Sequence, residues 1–345
     1  MPRVLVVDDS ATVRRLIVSI LTSDPEITVV GEAPDGAQAV ELCAQLRPDV
    51  VTMDIQMPVM DGVEAARRIT LASQTPVVMV SSLEPADVRK SITAFTAGAL
   101  AVIAKPAGPA APTFERDCHE LISIVKELAR VNQEVVASPP DEIVEQIWFS
   151  EPQPISIIGI VASTGGPLAL RTLFKALPSS FDHPILIVQQ IAAGFTQGFA
   201  DWLHEISRRV VRLGADKERI ERGVVYVAPD NRHLAVVGDR LVLSDAPPIK
   251  GARPSGTLLL SSLAKHYNAH AAGVLLTGSG QDGVEGLREI RAAGGAVIIQ
   301  DQLSCVSFVG PGAALKAGIA KTTTPLADIP NRLVALVEGK REERL

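Results

Sequence analysis

The stretch Gly159-Ile160-Val161-Ala162-Ser163-Thr164-Gly165-Gly166-Pro167 decides how the second half of the chain folds. An apolar run leads into it, and apolar residues at helical spacing follow it over Leu168–Leu177. Strand, sharp turn and helix is a local arrangement that exposes a nucleophilic serine at the carboxyl end of a sheet. The pattern differs from Gly-x-Ser-x-Gly, and a Ser/Thr cap on a glycine-rich turn explains it equally well. Ser163 is therefore a candidate nucleophile that needs partners elsewhere in the chain.

Length and composition bound the class of protein. The chain has 345 residues, which predicts two domains of about 150 residues each. The net charge of −6 argues against a general nucleic-acid binder, and no helix-turn-helix pattern is evident. The cysteines, Cys43, Cys118 and Cys305, form no Cys-x-x-Cys pair, which predicts a reduced, cytoplasmic protein without structural zinc. No apolar run approaches the roughly 18 residues of a membrane span, so we expect no membrane insertion.

The first part of the chain alternates short apolar runs with segments of helical periodicity. The predicted strands are Val4–Val7, Ile27–Val30, Val50–Met53, Val77–Val80 and Leu100–Ala104. The predicted helices are Val13–Leu21, Asp35–Leu46, Val63–Ile69 and Ala86–Ala97. Such alternation is typical of a parallel sheet with helices on both faces. We therefore expect residues 1–106 to form a doubly wound α/β domain with a five-stranded parallel sheet.

Five polar residues follow the strands of this predicted sheet, at the ends where α/β sheets place their sites. They are Asp8, Asp9, Asp54, Ser81 and Lys105. Clustered carboxylates repel one another, and Mg²⁺ takes oxygen ligands while leaving positions for water and phosphate. A carboxylate beside Mg²⁺ can accept a phosphoryl group, whose oxygens a lysine and a hydroxyl can hold. A helix cap or a solvated turn explains each acid alone, but one phosphoryl-accepting site explains all five residues.

These residues and their neighbours resemble a response-regulator receiver domain. The matching motifs are Val7-Asp8-Asp9-Ser10, Met53-Asp54-Ile55-Gln56-Met57-Pro58-Val59-Met60-Asp61-Gly62, Ser81 and Lys105-Pro106. The resemblance covers residues 1–106 and implies that Asp54 is the phosphoacceptor. It also implies that Mg²⁺ is bound directly by Asp9 and Asp54, through water by Asp8, and by the carbonyl of Gln56.

The same resemblance implies a switch. Ser81 would be the switch hydroxyl and Lys105 the phosphate-sensing lysine. Receivers usually carry Tyr or Phe three residues before that lysine, where this chain has Val102. Without the aromatic rotamer, we expect switching to run through Ser81 and the face of the helix over Ala86–Ala97.

Residues 107–154 form the predicted connection between the domains. Phe114–Val136 has helical periodicity, whereas residues 137–154 are acidic and proline-spaced, which is typical of an inter-domain linker. Three apolar residues inside that linker, Ile147, Trp148 and Phe149, are candidates for docking on one domain.

Residues 155–345 again alternate strand and helix signals. The predicted strands are Ile155–Val161, Pro184–Val188, Gly223–Ala228, Ala235–Val237, Arg240–Leu243, Gly273–Leu276 and Ala296–Gln300. The predicted helices are Leu168–Leu177, Phe195–Ile206, Thr257–Tyr267 and Val284–Ala293. We expect a second, mostly parallel α/β domain with a hairpin over Leu234–Leu243 that turns at Gly238-Asp239. The aromatic stripe of the helix over Phe195–Ile206 is interpreted as core packing.

Serine hydrolysis needs a nucleophile, a base that takes its proton, and an acid that orients the base. Ser163 and Asp282 each follow a predicted strand and fit the first and last roles. The second strand is followed by Gln189 and Gln190, and His183 precedes it at the opposite edge. The other candidate bases are His204, His233, His266 and His270.

This half of the chain resembles the chemotaxis protein-glutamate methylesterase domain. The matching motifs are Ala162–Gly166, Val188–Gln190 with Gly194-Phe195-Thr196, Val225–Pro229 with His233, Arg253–Ser255 and Leu276–Gly283. With the receiver, the resemblance spans nearly the whole chain. It implies hydrolysis of methyl-glutamate esters and deamidation of glutamines on methyl-accepting receptors, under control of a chemotaxis-type histidine kinase. It implies no cofactor for the C-terminal domain.

Carried over by position, Ser163 is the nucleophile, Asp282 the triad acid and Gln190 the residue in place of the triad histidine. Thr164 and Ser279 are the oxyanion candidates, with Ser279 standing where the family has methionine. Two further departures lie nearby. Ile191-Ala192-Ala193 replaces Met-Pro-Pro, and Thr257 replaces an acid.

Two hypotheses follow, because an amide cannot serve as a general base near neutral pH. In the first, the chain is still a methylesterase that uses a displaced base such as His233. In the second, it is a catalytically silent, phosphorylation-controlled protein that binds receptors or another signalling partner. We favour impaired activity, with the Gln190 amide as a candidate to hydrogen-bond Ser163 and hold its rotamer.

Overall fold

The computed structural model describes residues 1–82, 84–131 and 154–339, and the chain divides into two compact units. The helix predicted over Phe114–Val136 is observed as far as Val131. The predicted linker residues 137–153, with Ile147, Trp148 and Phe149, lie outside the described residues. In the described ranges no helix is long and apolar enough to cross a membrane.

The first unit is a five-stranded parallel sheet with the order β2-β1-β3-β4-β5. The strands are β1 (Arg3–Val7), β2 (Thr28–Ala33), β3 (Val50–Met53), β4 (Val77–Ser81) and β5 (Ala101–Ala104). The helices are α1 (Ala11–Thr22), α2 (Gly36–Leu46), α3 (Gly62–Ser73), α4 (Pro85–Ala94) and α5 (Phe114–Val131). The predicted doubly wound α/β fold is confirmed for this unit.

The order of strands explains where the polar residues meet. β1 pairs with β2 on one side and with β3 on the other. The order in which strands are added to the sheet therefore reverses between β1 and β3. Crevices at such switch points hold the ligands of open α/β sheets. Val7 is in register with Met53, which brings the next residues, Asp8 and Asp54, side by side. Ser10 caps α1 by accepting a hydrogen bond from Val13 N–H.

The second unit has a six-stranded parallel sheet with the order β13-β12-β6-β7-β9-β8 and a separate antiparallel hairpin, β10-β11. The strands are β6 (Ile157–Ala162), β7 (Ile185–Gln189), β8 (Val210–Leu213), β9 (Val224–Val227), β10 (His233–Val237), β11 (Arg240–Ser244), β12 (Ala271–Leu275) and β13 (Ala296–Ile299). The helices are α6 (Gly166–Ala176), α7 (Thr196–Ser207), α8 (Gly256–Tyr267), α9 (Val284–Ala292), α10 (Val309–Lys316) and α11 (Ile329–Val337).

The sequence prediction of a mostly parallel domain with a hairpin is confirmed, and Val237 pairs with Arg240 across the predicted turn. Phe195, Phe199 and Trp202 are buried, as expected of core residues. Three elements were not predicted, namely β8, α10 and α11. In this sheet β6 lies between β12 and β7, so its carboxyl end, where Ser163 follows, is again a switch point.

Candidate functional site

The first candidate site is an acidic cluster at the carboxyl ends of β1 and β3. Carboxylate oxygens of Asp8, Asp9 and Asp54 all lie within 4.8 Å of one another. Asp8 and Asp54 are buried, whereas Asp9 is exposed. The structure therefore brings together the three acids that the sequence placed at strand ends. Such a set of oxygen donors fits a magnesium ion, which prefers carboxylates and retains waters.

Lys105 supplies the positive charge inside this cluster. Its Nζ lies 2.9 Å from Asp8 Oδ2 and 2.9 Å from Asp54 Oδ2. Burial raises the pKa of the Asp54 carboxyl, and the hydrogen bond from Lys105 opposes that shift. Burial also works against the charged form of Lys105, but its hydrogen bonds to Asp8 and Asp54 prevail and raise its pKa. The contacts with the two acids thus favour the charged form of Lys105.

The backbone around Asp54 is held by close packing. Ile55 N–H donates to Asp54 Oδ1 at 2.7 Å, and Ser10 N–H donates to Asp8 Oδ1 at 2.9 Å. A Cβ built on Gly62 would lie 1.8 Å from the Asp54 carbonyl oxygen, so only glycine permits this approach.

Two further predicted positions of this site are occupied by small or apolar side chains. Ser81 ends β4 and is fully buried, with its Oγ 3.2 Å from the Ser82 carbonyl oxygen. Val102 is also buried. Gln56 follows Asp54 by two residues in the loop after β3.

The second candidate site surrounds Ser163 at the carboxyl end of β6. Ser163 N–H donates to the Thr277 carbonyl at 3.0 Å, which fixes the serine against the loop after β12. The chain then turns through Gly165, whose φ of 78° favours glycine, and enters α6. A Cβ on Gly166 would lie 2.1 Å from Gln189 Oε1, which explains the second glycine. Strand, sharp turn and helix are present as the opening stretch predicted.

Backbone donors converge on the Ser163 hydroxyl. Thr164 N–H donates to Ser163 Oγ at 2.6 Å, and Ser279 N–H donates to the same atom at 3.3 Å. The Ser279 hydroxyl oxygen is 3.4 Å away. Two N–H groups beside a serine hydroxyl are the groups from which an oxyanion hole is made, so the two oxyanion candidates lie together.

Gln190 follows β7, and its amide nitrogen hydrogen-bonds two groups other than the serine. Nε2 donates to the Pro254 carbonyl at 2.8 Å and to Asp282 Oδ2 at 3.1 Å. Both partners only accept hydrogen bonds, so the amide must present its NH₂ to them. Among the described residues no hydrogen bond joins Gln190 to Ser163, so the candidate bond is not observed. The amide instead satisfies the nearest acceptors, one of which is charged.

Asp282 caps helix α8. Its Oδ1 accepts from Ser255 Oγ at 2.8 Å and from Thr257 N–H at 2.9 Å, and its Oδ2 accepts from Gly256 N–H at 2.5 Å. These backbone groups are the first donors of the helix, which have no partner within it. With Gln190, the carboxylate has donors on both oxygens, so its contacts are those of a structural cap.

His233 is not positioned as a displaced base. The side chain is fully buried, its Nδ1 accepts from Ser255 N–H at 3.1 Å, and its Nε2 lies 3.2 Å from the Pro247 carbonyl. Because Nδ1 accepts, the proton is on Nε2 and is donated to Pro247. Both ring nitrogens have backbone partners, which argues against His233 as the displaced base.

The other histidines also serve local contacts. His204 Nδ1 accepts from Val211 N–H at 3.4 Å, and His266 Nδ1 accepts from Gly238 N–H at 3.4 Å. His270 Nδ1 lies 2.9 Å from the Pro154 carbonyl, and His183 lies beside Asp182.

Sequence reasoning missed the residue that holds the two loops together. Thr277 is buried, its Oγ1 donates to the Thr164 carbonyl at 2.9 Å, and it accepts from Val306 N–H and Ser307 N–H. It therefore positions the turn that carries Ser163 and Thr164. Its place directly after β12 was visible in the sequence, but its partners about 30 and 113 residues away in the chain were not.

Comparison with known proteins identifies the family that each part of the chain matches. The family model described as CheB methylesterase matches residues 158–333, and the one described as response regulator receiver domain matches residues 4–111. A protein-glutamate methylesterase/protein-glutamine glutaminase of Myxococcus xanthus is 46% identical over 98% of this chain and 97% of its own. One of Geobacter metallireducens is 40% identical over the full length of both chains.

A solved structure supports the fold of the second unit. The crystal structure of the Thermotoga maritima CheB methylesterase catalytic domain is 33% identical in sequence, with a TM-score of 0.51. It is matched over 100% of its own length and 54% of this chain. The similarity therefore covers the whole of that catalytic domain.

Proposed function

The chain belongs to the CheB methylesterase family, with a receiver domain, and from this we propose a phosphorylation-controlled regulator of receptor adaptation with impaired esterase activity. Its Ser163 site binds the glutamyl ester and amide side chains of methyl-accepting receptors. Hydrolysis at that site is slow, so a bound receptor side chain dissociates more often than it is hydrolysed.

One observation carries the proposal, namely the contacts of Gln190. Its NH₂ donates hydrogen bonds to the Pro254 carbonyl and to Asp282, and an amide does not accept a proton near neutral pH. In serine hydrolases, loss of a triad member costs roughly 10⁴- to 10⁶-fold in rate. The Ser163 proton thus has no basic acceptor among the described residues, and the nucleophile is not activated.

The parts that bind the substrate carbonyl are retained. Thr164 N–H and Ser279 N–H still converge at Ser163 Oγ. A carbonyl oxygen placed beside Ser163 receives hydrogen bonds from the same two groups. In serine proteases, binding and oxyanion stabilisation alone leave roughly 10³- to 10⁴-fold of catalysis over water, which is the ceiling we expect here.

The receiver supplies the control. Asp54 is the phosphoacceptor, and a chemotaxis-type histidine kinase is the donor. Mg²⁺ would be held by Asp9 and Asp54, by Asp8 through water and by the Gln56 carbonyl, and when bound it supplies positive charge for the phosphoryl oxygens. Lys105 is already between Asp8 and Asp54, where its ammonium can contact those oxygens. Ser81 and the face of α4 carry the switch, because Val102 offers no aromatic rotamer.

The alternative is a working methylesterase with another base. It is not favoured, because both ring nitrogens of His233 have backbone partners. Asp282 cannot replace the histidine either, since its two oxygens accept from Ser255, Gly256, Thr257 and Gln190.

Release of methanol from methylated receptors tests the proposal. We expect the wild type to release methanol no faster than Ser163→Ala. Gln190→His should gain at least about 100-fold, because it restores a base beside Asp282. Wild-type release that Ser163→Ala abolishes would show that the site has a working base and would overturn the proposal.

The pH dependence of Gln190→His gives a second readout. The imidazole must be neutral to take the Ser163 proton, so activity should rise with pH through the ordinary histidine pKa of about 6.5. A profile flat from pH 5 to pH 8 would mean that the new imidazole is not the base.

A further inference from the structure

The hydroxyl of Ser279 is the feature of the serine site that the functional proposal does not use. It is 3.4 Å from Ser163 Oγ, and the same residue's N–H donates to that oxygen at 3.3 Å. Ser163 and Ser279 are both partly exposed, so a ligand can reach them. Ser279 therefore meets Ser163 through its backbone and through its side chain.

The Ser163 hydroxyl has one hydrogen and two lone pairs. Thr164 N–H and Ser279 N–H point at the oxygen and occupy its lone pairs. The hydrogen then needs an acceptor, and Ser279 Oγ is the one acceptor within hydrogen-bond distance in the described ranges. A separation of 3.4 Å is long for a hydroxyl pair, as is common in ligand-free catalytic sites that tighten on binding.

The two glutamines near Ser163 do not accept its hydrogen in the described ranges. The NH₂ groups of both are donors, that of Gln190 to Pro254 and Asp282 and that of Gln189 to the backbone carbonyls of Ser163 and Gln190. Gln189 Oε1 is a buried acceptor close to Gly166 that forms no hydrogen bond with Ser163. We therefore assign the Ser163 hydrogen to Ser279 Oγ.

The loop that carries Ser279 is fixed from both sides. Gly278 N–H donates to the Ser307 carbonyl and the Gly278 carbonyl accepts from Gly310 N–H, each at 3.0 Å. A Cβ on Gly278 would lie 3.1 Å from Ser163 Oγ, so the glycine lets the loop come this close. A side chain on a loop held in this way loses little conformational freedom when a ligand binds.

We infer that the Ser279 hydroxyl positions Ser163 by accepting its hydrogen, and that it donates its own hydrogen to the carbonyl oxygen of the bound glutamyl side chain. In the ligand-free site Thr164 N–H and Ser279 N–H donate to Ser163 Oγ, so they reach the ligand oxygen only by leaving the serine, and Ser279 Oγ–H is then a third donor to that oxygen. This inference rests on the proposed function only in taking Ser163 as the serine that meets the ligand carbonyl.

Labelling of Ser163 by an alkyl fluorophosphonate tests the inference. The Oγ–P bond forms, the P–F bond breaks, fluoride leaves and the hydroxyl proton goes to water, so the adduct carries a phosphoryl oxygen where the oxyanion would lie. We expect Ser279→Ala to slow labelling of the full chain roughly 10- to 100-fold, as loss of one oxyanion donor does. Ser279→Thr keeps the hydroxyl and should label within about threefold of the wild type.

Labelling is followed by intact mass, with Ser163→Ala as the unlabelled control. The effects of Ser279→Ala and Ser279→Thr are also measured in the Gln190→His background, where labelling is faster. Equal rates for Ser279→Ala and the wild type in both backgrounds would overturn the inference, as would slowing by Ser279→Thr to the level of Ser279→Ala. Failure of the proposed function shows instead as wild-type methanol release, so the two failures are distinguishable.

Discussion

The acidic cluster of the first unit and the serine site of the second unit occupy the same kind of place, yet they hold their reactive groups differently. Each lies at the carboxyl end of a central strand where an open parallel sheet reverses direction. In the acidic cluster Asp8, Asp54 and Lys105 are ionisable and in direct contact. In the serine site the corresponding central contact is made by a neutral amide, that of Gln190.

The difference teaches that a fold can keep a site's architecture after its proton chemistry is gone. The Gln190 amide donates to Asp282 and to the Pro254 carbonyl, so these two acceptors keep a hydrogen-bond donor at the position of the missing histidine. The backbone donors depend on the turn and on Thr277, not on the base. In the acidic cluster the central contact is between opposite charges, those of Lys105 and of the carboxylates Asp8 and Asp54, which a neutral side chain does not reproduce.

The largest effect is expected at Asp54. Asp54→Asn should abolish phosphorylation by a small acyl-phosphate donor in the presence of Mg²⁺, because an amide is neither a nucleophile nor a charged metal ligand. The extent of phosphorylation is measured as the added phosphoryl mass on the intact protein. Asp61→Asn is the matched control, since Asp61 caps α3 and asparagine caps as well. Phosphorylation of Asp54→Asn at the wild-type level would place the acceptor elsewhere.

The second-largest effect is expected at Lys105. Lys105→Met removes the counter-charge of two buried carboxylates and should cost about 2 to 4 kcal/mol of stability, the lower end reflecting that Lys105 is itself 25% exposed. Mg²⁺ should raise the melting temperature of this variant more than that of the wild type, because the ammonium no longer competes for Asp8 and Asp54. Thermal unfolding of the full chain measures both quantities.

Lys126→Met is the control for that experiment. Lys126 also bridges two carboxylates, of Asp24 and Glu26, but Glu26 is largely exposed. We expect a smaller loss of stability than for Lys105→Met and no dependence on Mg²⁺. An equal response of the two lysine variants to Mg²⁺ would contradict a cation site at Asp8 and Asp54.

A smaller effect is expected at Asp282, and it separates a structural acid from a catalytic one. Asp282→Asn places an NH₂ either against the donors of Ser255 and Thr257 or against those of Gly256 and Gln190, and should lower stability by about 2 kcal/mol. Methanol release should stay at the Ser163→Ala background. Asp239→Asn, in an exposed ion pair with Arg219, should change stability by less than about 0.5 kcal/mol. A drop in methanol release caused by Asp282→Asn would show that Asp282 contributes to catalysis.

The sequence predicted the sheets and the sites at their strand ends because buried parallel strands are near-continuous apolar runs, as in Val4–Val7 and Val77–Val80. It missed β8, whose four residues include Arg212 and lie at the sheet edge. It missed α10 because Gly310, Pro311 and Gly312 argue locally against a helix, and tertiary packing overrides that preference.

The internal contacts of the serine site were beyond sequence reasoning. Gln190 was identified at the position of the base, but its partners Pro254 and Asp282 are 64 and 92 residues away in the chain. Which acceptor an amide chooses depends on side-chain directions that no periodicity encodes. The same holds for His233, whose strand was predicted without the Ser255 and Pro247 contacts that occupy its ring.

The most direct test reads both sites in one reaction. The full chain is incubated with methylated receptor, Mg²⁺ and a small acyl-phosphate donor, and phosphoryl mass and methanol are measured in the same samples. We predict stoichiometric phosphorylation that depends on Asp54, with methanol at the Ser163→Ala background throughout. Methanol release that rises with phosphorylation and depends on Ser163 would contradict the account.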